Sequence, residues 1–173
     1  EMFAEPLSKL VGAKPGEVVA MNQLTVNLHL LMVSFYRPTK ERYKIICEAK
    51  AFPSDQYALE SQVKFHGYKY KDAVVEVAPR QGEFHIRQED ISETIDQHKN
   101  ELALVLFGGV NYYSGQLFDM QAIAAAAHAA GALAGFDLAH AAGNIELKLH
   151  DWNADFACWC SYKYLNAGPG AVA

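Results

Sequence analysis

Phe156-Ala-Cys-Trp-Cys-Ser-Tyr-Lys-Tyr-Leu-Asn-Ala-Gly-Pro-Gly170 joins an apolar run to a lysine and then to a turn. The run Asp155 to Cys160 reads as a buried strand, and Lys163 follows it between Tyr162 and Tyr164. An amine there suits a Schiff base in a dry pocket, because burial favours the neutral form and only that form attacks a carbonyl. The plainer reading is a lysine that extends its charge back to water from a strand end. Working outward, Ala132 to Phe136 reads as a second short buried strand with Asp137 at its end. Carboxylates that end parallel strands face the crevice where such sheets bind ligands. Asp137 can therefore pair with a protonated ring nitrogen, or simply cap the next loop.

A third stretch, from Leu24 onward, fits a buried helix with Thr25 as its N-cap and an end near Arg37-Pro38. A helix start offers free N–H groups to a phosphate, although every helix needs a cap. Taken together, the three stretches supply an amine for an aldehyde, a partner for a pyridinium and a cradle for a phosphate. That set suits pyridoxal 5'-phosphate.

The remaining chain alternates the two periodicities. Strands are expected at Val18–Met21, Tyr43–Cys47, Ala73–Val77 and Leu102–Phe107. Helices are expected over Met2–Val11, Ser54–His66, Arg87–Lys99 and Met120–Ala130. In the second of these, Glu60 and Gln62 are assigned to the solvent side. Thr39–Arg42 has the pattern of a further cap. The alternation predicts an α/β fold: three layers, with a mainly parallel sheet and crossover helices.

Composition narrows the class. Of 173 residues, 51% are apolar and 20% charged, with a net charge of −5 and both signs mixed along the chain. This is the composition of an ordinary globular domain, without a basic surface for nucleic acid or membrane. Cys158 and Cys160 share the face of one strand, a spacing that fits neither a redox pair nor a zinc site, and Cys47 stands alone. All three read as small buried residues of a reduced, cytoplasmic protein. His66, His85, His98 and His128 lack metal-ligand spacing. The Ala122–Phe136 run is too short to span a bilayer. Ala171–Ala173 has the look of an opening strand, so the chain reads as part of a longer enzyme.

Five segments carry a resemblance that covers nearly the whole chain. They are Asn22–His29, Glu48–Ala58, Leu106–Gln116, Gly135–Asn144 and His150–Gly170. These resemble the kynureninase family, pyridoxal-phosphate hydrolases of fold type I in the class-V aminotransferase group. The resemblance implies an incomplete aspartate-aminotransferase-like large domain over residues 1–173, with the small C-terminal domain outside this chain. It implies hydrolysis of L-kynurenine, or its 3-hydroxy form, to the corresponding anthranilate and L-alanine in tryptophan degradation. It also implies a homodimer. Residue by residue, Lys163 matches the cofactor-linking lysine and Asp137 the partner of the ring nitrogen. Leu24 and Thr25 match the phosphate-binding helix start, Phe52 the stacking ring and Asp55 a second carboxylate. His140 matches a cofactor contact, and Tyr162 a phosphate contact with a proton-transfer role. The family often carries serine where this chain has Gly108. The alternatives are a cysteine desulfurase or selenocysteine lyase, which needs a mobile cysteine, and a non-catalytic α/β domain. On this reading the isolated piece is expected to be inactive and poorly folded, with an open sheet edge.

Overall fold

Short apolar runs flanked by turns build a single sheet. The computed structural model describes residues 2–169 and 171. Strands β1 (Lys44–Glu48), β2 (Val74–Val77), β3 (Leu102–Gly108), β4 (Leu133–Asp137) and β5 (Phe156–Cys158) align in the order β2-β1-β3-β4-β5. Every neighbouring pair is parallel. The helices are α1 (Ala4–Val11), α2 (Leu24–Phe35), α3 (Pro53–Phe65), α4 (Tyr70–Ala73), α5 (Gln88–His98) and α6 (Met120–Ala129).

Alternation along the strands sorts side chains into two cores. Ile46, Val105, Phe107, Ala134 and Phe136 pack with Ile91 and Ile95 of α5 and Ile123 and Ala127 of α6. Ile45, Cys47, Leu104, Leu106 and Cys158 pack with Leu28 and Met32 of α2 and Leu59 and Val63 of α3. The sheet is thus covered on both faces, the three-layer arrangement expected of parallel strands. The chain leaves β1 toward β2 on one side and reaches β3 on the other. The β1/β3 boundary is therefore the point where the strand order reverses, and a ligand crevice opens outside its carboxyl ends.

Arg42 fastens the opposite end of this frame. Its guanidinium donates to Lys99 O at 2.8 Å and Ala130 O at 2.7 Å, the carbonyls that end α5 and α6. A cation there satisfies acceptors the helices leave open.

Four expectations need correction, and a fifth falls largely outside the described residues. Val18–Met21 pairs with no described strand; Val19 and Met21 are exposed and follow a 3-10 turn at Pro15–Glu17. The Asp155–Cys160 strand is only Phe156–Cys158. The Asp155 carboxylate turns away to bind Ala134 N, and Leu138 N takes Cys158 O just past the end of β4. Cys160 lies beyond the strand but is buried in the same core as Cys158. Gln62 faces inward rather than to solvent, its amide beside His29 at 3.4 Å. The Thr39 hydroxyl accepts from Arg42 N and closes a turn before β1, with no helix following. Of Ala171–Ala173, all but Ala171 lies outside the described residues.

Gly135 sets the packing of β4 against β5. It stands opposite Phe156, and a Cβ at Gly135 would lie 2.2 Å from the Phe156 ring. That ring in turn meets Phe35 of α2 at 4.9 Å between centroids. Gly135→Ala is expected to destabilise the fold by about 1–3 kcal/mol through overpacking. Urea midpoints of the full-length protein check this, and an unchanged midpoint would show that the Phe156 ring swings aside freely.

Candidate active site

The crevice at the carboxyl ends gathers residues from seven segments. Leu24 and Thr25 come from the start of α2, Glu48 from the end of β1, Phe52 and Asp55 from the start of α3. Gly108 ends β3, Asp137 ends β4, His140 follows it, and Tyr162 and Lys163 lie beyond β5. All eight site residues expected from the sequence line this one pocket.

Thr25 sits there for a different reason from the one its type suggested. The helix begins at Leu24 with Gln23 as N-cap, and no side chain closes the cap. Asn22 turns the chain at φ 38°, and the Asn27 amide reaches back to Met21 O at 2.7 Å to hold that entry. Thr25 is therefore the second helical residue. The uncapped start leaves backbone donors facing the pocket, which suits an anion.

Lys163 is half-buried at the mouth rather than enclosed, because β5 ends early and the chain has already left the sheet. Its Nζ stands 5.7 Å from the centre of the Phe52 ring and 5.5 Å from that of Tyr162, within cation–π range. Phe52 keeps 44% of its surface exposed and meets the Tyr112 ring edge-to-face at 5.2 Å.

Three acids converge on the floor. Asp137 and Asp55 are buried and close enough that the charge on each bears on the other. Asp137 Oδ1 also accepts the Ala139 N–H at 2.7 Å. Burial pushes both acids up, and at Asp55 the neighbouring Asp137 charge adds to it, holding Asp55 at about 9. The Asp55 hydrogen bond, the Ala139 amide, Lys163 and His140 oppose the rise at Asp137. The Ala139 N–H favours the ionised form of Asp137, which leaves Asp55 the better holder of a proton. Burial and the Lys163 charge lower His140, favouring its neutral ring. Burial raises the Tyr162 hydroxyl, with the Cys160 thiol adding to the effect.

Glu48 is the third acid, and the sequence reading passed over it. The strand expected at Tyr43–Cys47 stops one residue short of Glu48, although a carboxylate closing an apolar strand is the signal that marks Asp137. Ser54 and Tyr112 also line the pocket without having been expected. No group of three or more acids, histidines or cysteines among the described residues has a metal-binding arrangement.

Comparison with known proteins adds an independent line. A profile of the family described as aminotransferase class-V matches residues 3–172. The kynureninase of Flavobacterium psychrophilum is 72% identical over 98% of this chain and 40% of its own length. That of Flavobacterium johnsoniae is 68% identical with the same coverage. This chain spans about 40% of the length of these curated relatives. An apo cysteine desulfurase from Thermococcus onnurineus NA1 superposes with a TM-score of 0.79 at 21% identity, covering 94% of this chain and 38% of that one. At that identity the likeness shows the fold alone.

The acid pair makes a pH prediction. Asp55 titrates near 9 in the folded protein against an ordinary value of 3.8, so the folded form binds more protons between these limits. Stability is then lost as pH rises through that window. Asp55→Asn mimics the protonated acid, and its urea midpoint should fall less between about pH 5 and pH 9 than the parent's. Equal falls would mean that Asp55 is ionised in the folded state.

Proposed function

The chain belongs to the class-V aminotransferase family, and we propose that it forms the cofactor-binding part of a kynureninase. The reaction is hydrolysis of L-kynurenine or 3-hydroxy-L-kynurenine to anthranilate or 3-hydroxyanthranilate and L-alanine. What carries the reading is one pocket holding a lysine, a buried aspartate and an uncapped helix start, in a chain so similar to proteins named kynureninase.

The residues fit pyridoxal 5'-phosphate. The free donors at Leu24 and Thr25 suit its phosphate, and the partly exposed Phe52 ring lining the pocket suits its ring. The charge on Asp137, kept there by the proton on Asp55, suits a protonated ring nitrogen. Lys163 is the one lysine lining the pocket and suits its aldehyde. When bound, this cofactor supplies the electron sink for the bonds that break in the amino-acid substrate.

The protein's own groups do the rest. Lys163, once its amine is free and neutral, moves the substrate's α-proton as a general base. Tyr162, at 60% exposure on the pocket rim, is placed to exchange protons with substrate and solvent in the later steps. The overall change adds one water across the bond between the β and γ carbons. His140, held toward neutrality, contacts the cofactor as an uncharged ring.

The wider setting belongs to the same proposal: tryptophan breakdown toward NAD, in the cytoplasm, by a homodimer. The exposed rims of Phe52, Tyr112 and Tyr162 support a partner that closes the mouth. The three free cysteines support a reducing compartment. No helix among the described residues is long and apolar enough to cross a membrane. The desulfurase alternative draws no support from this chain's cysteines. All three are buried, and burial raises the Cys47 and Cys158 thiols away from the reactive thiolate.

The test uses the full-length protein with pyridoxal phosphate and L-kynurenine, following anthranilate fluorescence. Lys163→Ala should abolish turnover. Asp137→Ala should cost about 3–5 kcal/mol of transition-state stabilisation, the loss typical of a broken buried ion pair. A yellow protein without anthranilate would move the substrate to another amino acid. A colourless protein would overturn the cofactor reading.

A further inference from the structure

Glu48 is 4% exposed, yet its Oε2 has no hydrogen-bond partner. Its carboxylate lies over Gly108, where a Cβ would stand only 3.1 Å from Oε1. Gly108 is opposite Asp137 in the β3–β4 ladder. The missing side chain at Gly108 therefore opens the space through which the end of β1 reaches the end of β4. An uncompensated charge in such a place is costly, and a proton removes the cost.

We propose that Glu48 is a positioning residue of this site: a proton taken up on its carboxylate, beside Gly108, frees Asp137 to stay ionised toward a cationic ring. The inference rests on the pyridoxal-phosphate reading above. Other titratable groups lining the pocket are Asp55 on α3, Asp137 on β4, His140 after it, Tyr112 in the β3–α6 loop, and Tyr162 and Lys163 after β5. Among these Lys163 is the one amine, and it shares the pocket with three acids, Glu48, Asp55 and Asp137. Asp55 already holds one proton, so a second on Glu48 leaves a single negative charge, on Asp137. Burial holds the Glu48 carboxyl at about 7, with the Asp137 charge adding to the rise, and the Gly108 backbone and Asn111 side chain opposing it. The proton is therefore exchanged within the physiological range.

The experiment measures pyridoxal-phosphate dissociation constants for full-length protein by absorbance, between about pH 7 and pH 8.5. Glu48→Gln keeps the shape and removes the titration, and Glu48→Asp keeps a titrating acid. If binding requires the protonated acid, log Kd rises by about one per pH unit above its titration point. The slope of log Kd against pH should therefore fall by about one in Glu48→Gln and stay near the parent's in Glu48→Asp. Should Glu48→Gln fail to fold, a Glu48→Asp slope equal to the parent's, with a shifted midpoint, carries the same support. Equal slopes and midpoints in parent and variants would reduce Glu48 to a buried structural acid. A parent that binds no cofactor at any pH would overturn the cofactor reading and this inference with it.

Discussion

Two buried carboxyl groups meet at the carboxyl end of a parallel sheet, Asp137 closing β4 and Asp55 in the first turn of α3, and the site depends on their mutual repulsion. Asp55 and Asp137 meet where water is excluded, so both cannot ionise cheaply. The asymmetry between them comes from backbone. The Ala139 N–H binds Asp137, whereas Asp55 has only the Ser54 hydroxyl beside it at 3.3 Å. A rigid amide thus decides which aspartate keeps the charge. The sheet holds that amide in place, because Leu138 N donates to Cys158 O and draws the start of the loop down onto β5.

This arrangement follows from topology. The strand order reverses between β1 and β3, so α3 crosses one face while α5 and α6 cross the other. The gap that opens there receives Glu48 and Gly108 directly and Asp137 one strand further on. The helix bearing Asp55 begins only a few residues after β1, with Pro53 at its first position. A short connection of that kind leaves the first turn of α3 little choice but to overhang the crevice.

Much of this was legible in the residues. The apolar runs at β1, β3 and β4 are continuous, as doubly covered strands must be. Asp137 and Lys163 announce themselves as charges closing apolar runs. Glu48 carried the same signal and was missed by one residue of strand length. Thr25 was assigned to the pocket through a capping role that it does not play, because Asn22 and Asn27 shape the turn instead. Local sequence cannot show such a swap, since several residue types compete for one turn. Gln62 was invisible for a similar reason: a polar side chain on a helix looks solvated until a neighbouring helix brings His29 against it. The pairing of Glu48 with Gly108 needs the strand order, which no local pattern contains.

The spread of the pocket along the chain has a kinetic consequence. Its lining runs from Leu24 to Lys163, and no two adjacent strands in the sheet are joined by a tight hairpin. Contacts of such long sequence separation form late, because loop closure must precede the reward for pairing. The lysine arrives last in sequence, after every strand it serves. The crevice is thus the part of the molecule that depends most on the whole sheet being paired, since it draws on the ends of β1, β3 and β4 together.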